Sequence, residues 1–464
     1  MNIVLVNINI RPYMDKAYFP IGLAYIATAV EKAGYKFDII DIAAHHHTDE
    51  ELENLLKQKA YDVIAFGTLV SGYKYAKNVA AIARKTNTDA VIIAGNSVAA
   101  SIPEHLLTHT EVNIAVKGEG EVTMCKLLKA VEEKTPFEDI KGIAFIKDGK
   151  FIDTGYEAPI DIKEIHHPNW ELFDIKLYLE KAKADVRAPY PIPIERITAF
   201  VINTARGCPF HCSFCYQNFW YTKYRYRSSE SIITEMVLLQ KRYGVNYINF
   251  FDELTFFNTR QITDFVDKLL ASGLEIYWNA DIRSDMFTSK DIDLLRKIKK
   301  AGCLSFGYSL ESGSPEILKS MDKKLTVENF KEQKLALDEA DITTMTSLVL
   351  GYPEETLETL KQTFDVCYEL NMYPSAGYLL PQPGTPMMEA ARKRGFVNDL
   401  EDFLMKMGDR QDLRFNLTGI PDDVLTNAVA GHLKRISDKL GLGFTTEKLL
   451  KTHTHVTSRK QEKN

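Results

Sequence analysis

Along the first third of the chain, short runs of apolar and β-branched residues alternate with stretches whose apolar positions recur every third or fourth residue. The runs predict strands at Asn2–Ile8, Lys36–Ile42, Asp62–Thr68, Ala90–Ala94 and Val112–Val116. Between them, helices are predicted to start near Gly22, Asp49, Tyr73 and Pro103, with a last one over Glu121–Glu133. Strands apolar on both faces and separated by helices predict a parallel sheet covered on both sides, an α/β doubly wound domain over residues 1–145. Ligands of such sheets sit beyond the carboxyl ends of the strands. There the sequence places Asn7–Pro20, Thr68–Tyr73, Gly95–Ser101 and Gly118–Glu121, whose small residues either admit a bulky group or simply make tight turns.

Regularity then fades. Pro159, Pro168, Pro189, Pro191 and Pro193 interrupt residues 146–196, which read as a linker that wraps surfaces. A second alternation begins at 197, with strands predicted at Thr198–Thr204, Tyr247–Asp252, Leu274–Ala280, Leu304–Leu310, Thr344–Leu350 and Ser375–Leu380. Its helices are predicted near Glu230–Arg242, Thr259–Ala271, Ser289–Lys300, Val327–Glu339 and Leu357–Leu370. Six β-α steps predict a partial (β/α)6 barrel of TIM type over residues 197–394, with its site at the carboxyl ends of the strands. Residues 395–464 form a small helical carboxyl-terminal region, Asp422–Leu440 being its clearest helix and Lys448–Lys463 a solvated basic tail.

Composition narrows the function. The chain has 464 residues, 45% hydrophobic and 26% charged, enough for two folded domains. A net charge of −6 without any Lys/Arg stripe argues against a nucleic-acid partner. The first residues carry no signal-peptide pattern and no uncharged apolar run could span a membrane, so a cytoplasmic protein is expected. Its six cysteines are too few for a disulfide framework, and three of them fall within eight residues. Cys125, Cys303 and Cys367 are isolated and read as packing thiols, and His45–His47 as a solvated turn.

Gly207-Cys208-Pro209-Phe210-His211-Cys212-Ser213-Phe214-Cys215 follows the first barrel strand, on a loop at the catalytic end. Soft thiolates on one short loop can each hold one iron of a cubane and leave a fourth iron open. The competing reading is a zinc site of the three cysteines with His211, which lies awkwardly beside Cys212.

Cys-x3-Cys-x2-Cys at the end of the first strand of a partial barrel resembles the radical S-adenosylmethionine (SAM) superfamily. The resemblance implies a 4Fe-4S cluster on Cys208, Cys212 and Cys215 and SAM on its open iron. It also implies cleavage of SAM to a 5'-deoxyadenosyl radical, with electrons from a low-potential donor of ferredoxin or flavodoxin type. Matching strand ends extend it. Asp252 and Glu253, in Phe251-Asp252-Glu253, correspond to the acidic motif for the SAM amino group, and Arg283 to a clamp on its carboxylate. Glu311, in Glu311-Ser312-Gly313, corresponds to a contact with the amine or ribose, and Gly351 to a turn beside the adenine.

A doubly wound domain before such a barrel resembles the cobalamin-binding subclass, through Gly118-Glu119-Gly120-Glu121 and the helix start Pro20-Ile21-Gly22-Leu23. Cobalamin contacts are then implied at Asn7, Thr68, Ser71, Gly95, Asn96, Gly118, Glu119 and Gly120. The sequence lacks Asp-x-His-x-x-Gly and has no histidine between Asn7 and Lys36, so bound cobalamin would have no histidine beneath it, or the domain would be empty. The resemblance implies a methyltransferase acting on an unactivated carbon. A radical cyclisation or rearrangement, as in anaerobic porphyrin-ring cyclases, and a non-catalytic cobalamin or iron-sulfur sensor are the alternatives. The substrate could be a small molecule, lipid, tetrapyrrole or peptide, held by Tyr216–Tyr226 and the carboxyl-terminal helices.

Overall fold

Strand β1 (Ile3–Asn7) is buried on both faces, as its unbroken apolar run requires, and lies second from one edge of a seven-stranded sheet in the computed structural model. The structure describes residues 1–12, 18–183, 186, 190–216, 223–408, 412–450 and 456–457. Parts of the predicted Asn7–Pro20 loop, the Tyr216–Tyr226 segment, Pro189 and the basic tail thus lie outside the described residues.

The sheet order is β2 (Phe37–Asp41), β1, β3 (Val63–Gly67), β4 (Val91–Gly95), β5 (Ile114–Val116), β6 (Ile143–Lys147) and β7 (Lys150–Asp153). The first five are parallel and the last two antiparallel. The chain order reverses between β1 and β3, which opens a ligand crevice outside their carboxyl ends. The hairpin β6–β7 was not foreseen. It turns on Asp148 and Gly149, both at positive φ (49° and 71°), as a tight two-residue hairpin turn demands. The sheet therefore runs beyond residue 145 and takes in the start of the segment read as linker.

The rest of that segment is a wedge. Trp170, Phe173 and Tyr178 are buried, the last on helix Ile175–Ala182. Phe19 meets Phe173, Tyr178 and Phe200 at centroid distances of 5.4, 5.3 and 5.0 Å, so first domain, wedge and barrel share one apolar joint. The Tyr178 hydroxyl donates to Asp41 (2.6 Å), and the Asn7 amide donates to Asp41 (2.8 Å) and Tyr178 (3.3 Å).

The barrel opens with β8 (Ala199–Ile202) and a short antiparallel ribbon of β9 (Ala205–Arg206) and β10 (Arg225–Tyr226). It continues through β11 (Tyr247–Phe250), β12 (Tyr277–Asp281), β13 (Cys303–Gly307) and β14 (Thr343–Met345), parallel in the order β14-β13-β12-β11-β8. The predicted strand Thr344–Leu350 is broken at Thr346, whose hydroxyl accepts from Leu310 N–H and whose carbonyl accepts from Ser375 N–H. Its second half, β15 (Ser347–Leu350), follows that break; after a two-residue strand, β16 (Met372–Tyr373), comes β17 (Ser375–Tyr378), which pairs with β15 in parallel. Helices Ser229–Tyr243, Thr259–Ser272, Val327–Glu339 and Leu357–Glu369 each start on a Ser, Asn or Thr cap. No described helix is long and apolar enough to cross a membrane.

The carboxyl-terminal helix Leu400–Lys406 returns to the first domain. Its Glu401 accepts from Tyr73 (2.6 Å) and Lys77 (2.6 Å) and pairs with His105 Nε2 (2.8 Å). At the end of β15, Gly351 takes φ 89° and donates its N–H to Glu355 (2.7 Å), a buried carboxyl that burial pushes up to about 7.

Two outcomes follow. Tyr178→Phe should cost about 1–2 kcal/mol of unfolding free energy and Tyr178→Ala about 3–5, measured by denaturant titration. Because Glu355 keeps its proton in the folded state, its contribution is full at low pH and is lost as pH rises from the unfolded value toward about 7. Wild type should therefore lose up to about 3 kcal/mol relative to Glu355→Gln across that window, with no further divergence above it.

Candidate cluster and cofactor site

The polypeptide enters the cysteine loop under tight control. Asp252, just after β11, is buried and accepts from Thr204 N–H (2.9 Å), Ala205 N–H (3.1 Å), the Asn203 amide (3.0 Å) and the Thr204 hydroxyl (2.7 Å). Burial pushes its carboxyl up to about 6. Arg227 holds the same segment from the other side, donating to the Asn203 carbonyl (2.7 Å) while paired with buried Glu235 (2.5 Å). The loop itself starts at Gly207, φ 78°. Ser213 N–H donates to the Met321 carbonyl (2.9 Å), and its hydroxyl bonds the Ser320 carbonyl and the Tyr352 hydroxyl (both 3.0 Å).

Cys208, Cys212 and Cys215 line one cavity of about 400 Å³ at the carboxyl ends of the barrel strands, together with Glu253, Arg283 and Glu311. Burial pushes the Cys208 and Cys212 thiols up, while Arg283 and Lys323 pull them down, so a metal's positive charge is what would complete their ionisation. Among the described residues, no three His, Cys, Asp or Glu side chains converge as they would on a single ion. His211, the fourth ligand of the competing zinc reading, is exposed and does not line this cavity. Three thiols that line one cavity can each take a separate corner of a cluster.

Glu311 is strained. It takes φ 61° between a Ser347 carbonyl on one side and the Val349 N–H on the other. Ser312 and Gly313 hold it there: both bond Thr363 Oγ1, and a Cβ on Gly313 would lie 2.7 Å from the Thr363 backbone. One Glu311 oxygen pairs with Lys323 (3.0 Å). The other is buried, faces no hydrogen-bond partner among the described residues, and belongs to a side chain lining the cavity. That orphaned acceptor is what an ammonium or hydroxyl of a bound group would satisfy.

The remaining barrel candidates divide. Glu253 lines the cavity and accepts from the Tyr216 hydroxyl. Arg283 lines it too, stacked 3.6 Å from the Phe210 ring centroid and donating to the Lys323 and Lys324 carbonyls (both 2.9 Å). Asp252 reaches the cavity wall, yet both its oxygens face the 203–205 segment. Gly351 does not line this cavity, and the space beside its Cα is open. Lys323 and Asp281 also line it and were not singled out in the sequence, because nothing local marks a loop lysine or a strand-end aspartate.

None of the first-domain candidates lines that cavity. Asn7 bonds the wedge, as described. The Thr68 hydroxyl is buried without a partner among the described residues, beneath Gly72, where a Cβ would lie 2.5 Å from it. Ser71 lies in the short turn Val70–Gly72. Asn96, next to Gly95, takes φ 68° and accepts from Ser97 N–H (2.6 Å). Gly118 takes φ 80°, and Gly120 admits Ile26, whose Cδ1 would lie 2.8 Å from a Cβ there. Glu119 pairs with Arg206 (3.3 Å) and Arg225 of the barrel, and Glu121 with Arg206 (2.5 Å). Neither arginine was singled out from the sequence, although Arg206 stands two residues before Cys208.

Comparison with known proteins agrees with this arrangement. The Radical SAM superfamily profile matches residues 202–367 and the B12 binding domain profile residues 15–128. An uncharacterized methyltransferase of Pyrococcus horikoshii is 29% identical over 378 residues, 80% of this chain and 78% of that protein. The anaerobic magnesium-protoporphyrin IX monomethyl ester cyclase of Cereibacter sphaeroides is 27% identical over 393 residues, 83% of this chain but 62% of the cyclase. The fold matches that of the radical SAM methyltransferase TsrM from Kitasatospora setae, solved with cobalamin and a 4Fe-4S cluster. The TM-score is 0.68 at 18% identity, covering 85% of this chain and 78% of that one. The chain thus carries a B12 binding domain leading into a radical SAM superfamily domain, the arrangement of the cobalamin-binding-domain subclass of that superfamily.

Proposed function

We propose that this protein is a cobalamin-dependent radical SAM methyltransferase that methylates an unactivated carbon of a small-molecule substrate. The observation that carries the reading is the shared cavity of Cys208, Cys212, Cys215, Glu253, Arg283 and Glu311, with a carboxyl-end turn of the first-domain sheet tied to Arg206, which leads into the cysteine loop. When bound, the 4Fe-4S cluster and SAM supply a carbon-centred radical and cobalamin supplies a methyl group. The chain's own residues bind, orient and shield. The three thiolates hold the cluster. Glu311's unpaired oxygen accepts from the SAM ammonium or ribose, and Glu253 stands ready for the same ammonium. Arg283, fixed by the 323–324 carbonyls and Phe210, offers its guanidinium to the SAM carboxylate. Asp252 acts one step back, by fixing the backbone that leads into the cysteines. In the first domain, the turns at Thr68–Ser71, Gly95–Asn96 and Gly118–Gly120 surround the crevice where cobalamin would lie, and Thr68 Oγ1 is the buried group still to be satisfied there. Asn7, bonded to Asp41 and Tyr178, shapes the crevice wall. A methyltransferase relative and the likeness to TsrM support methylation; the cyclase relative keeps cyclisation as the alternative.

Anaerobically purified, reconstituted protein should retain hydroxocobalamin near stoichiometry and, with methyl-labelled SAM, should yield labelled cobalamin together with 5'-deoxyadenosine and S-adenosylhomocysteine. Deoxyadenosine without S-adenosylhomocysteine would favour cyclisation, and no SAM cleavage at all would leave only a sensor. Cys212→Ala should lose bound iron and all SAM cleavage. Glu311→Gln should keep its iron but bind SAM about tenfold more weakly by equilibrium dialysis; unchanged affinity would remove Glu311 from the SAM site.

A further inference from the structure

We infer that Arg206 is a positioning residue that couples occupancy of the first-domain cofactor crevice to the conformation of the cysteine loop, acting through Glu119 and Glu121. This rests on the cobalamin reading above. Three features carry it. First, the turn Gly118-Glu119-Gly120-Glu121 leaves the carboxyl end of β5, and its shape is narrowly set by the positive φ of Gly118 and the contact of Gly120 with Ile26. Second, β9 and β10 place Arg206 directly opposite Arg225. Two guanidiniums paired across strands repel. Glu119, buried to 9% side-chain exposure, bridges them, bonding both arginines and also accepting from Ile160 N–H (3.2 Å). Glu121 takes the other arm of Arg206, whose guanidinium lies 5.0 Å from the Tyr25 ring centroid of the first domain. The ribbon's charge is thus balanced only while the turn is in place. Third, Arg206 is followed by Gly207 and Cys208, and its neighbour Ala205 is pinned by Asp252. A shift of the turn cannot be absorbed on the Asp252 side, so it is delivered to the loop that bears the cluster. A partly buried charge network with one good arrangement passes on displacement in a way that a surface pair does not.

The second clasp between the domains offers a built-in control. Glu401 ties Tyr73, Lys77 and His105 together but, among the described residues, bonds none of the cysteine loop. Breaking it should loosen the two domains without touching the path through Arg206.

The test is hydrogen exchange of residues 204–216 in the full-length, cluster-loaded protein, with and without hydroxocobalamin. In wild type, bound cobalamin should slow exchange there about fivefold or more. Arg206→Gln and, more mildly, Glu121→Gln should still retain cobalamin by its visible spectrum yet lose that difference, whereas Glu401→Gln should keep it. Equal exchange in wild type with and without bound cobalamin would overturn the coupling while leaving the methyltransferase reading intact. So would a full difference in both Arg206→Gln and Glu121→Gln, or its loss in Glu401→Gln. If wild type retains no cobalamin, the cobalamin reading itself falls and takes the coupling with it.

Discussion

Everything at this site depends on how three residues of backbone, Asn203 to Ala205, are held. Two N–H groups and two side chains from that segment converge on one buried carboxylate, Asp252, and Arg227 closes it by bonding the Asn203 carbonyl and lending its own N–H to the Thr204 carbonyl. Arg227 in turn is neutralised by Glu235, with both side chains almost fully buried. Burying ions this way costs several kcal/mol of hydration and is a poor device for stability alone. What it secures is a single path for the chain, since any other path leaves a charge or a peptide group unpaired in a dry interior. A loop that must present three thiols to one cluster needs that uniqueness more than it needs stability.

The cavity beyond this grip has a skewed charge. Glu253, Asp281 and Glu311 face it, in addition to Asp252, against Arg283 and Lys323. Lys323 is engaged by Glu311, and Arg283 is anchored by two carbonyls and Asp285. The unpaired Glu311 oxygen and Glu253 give the wall negative character, which suits a ligand with a positive centre, such as SAM with its ammonium and sulfonium, better than a simple anion. The strained backbone of Glu311 belongs to the same logic: a non-glycine residue at φ 61° is kept only where its surroundings over-determine it, here by Ser312 and Gly313 locked to the helix Leu357–Glu369.

What could be read in the sequence was what is local. The cysteine triplet, the near-continuous apolar strands of the first sheet and the six barrel steps each declare themselves within a dozen residues, and the strands lie within a few residues of their expected places. Features decided by distant partners did not. Glu119 lies in a turn that by position faces the ligand end of the sheet, but its carboxylate is claimed by Arg225, 106 residues away. Asp252 carries an acidic motif's position, yet four donors from the 203–205 segment some 48 residues earlier enclose it. Thr346 reads as strand because threonine suits one, but its hydroxyl accepts from Leu310 N–H and its carbonyl from Ser375 N–H, distant partners that meet where the pairing breaks. The Asp148-Gly149 turn was an available signal, overlooked because the proline-rich stretch after it drew the boundary too early.

That proline-rich stretch also changes what kind of molecule this is. Domains joined by a true linker move relative to one another by default, since their contacts are small and polar. Here the connecting segment drives Trp170, Phe173 and Tyr178 into the joint, Phe19 bridges them to Phe200 on β8, and polar clasps close both sides, through Arg206 and through Glu401. An apolar centre flanked by ion pairs fixes orientation as well as contact, because the centre resists separation and the pairs resist rotation. For chemistry that passes through a carbon radical, this rigidity has a direct use: a first domain that cannot swing away from the barrel leaves water and stray hydrogen donors little room to enter between them, so the radical meets the carbon presented to it and little else.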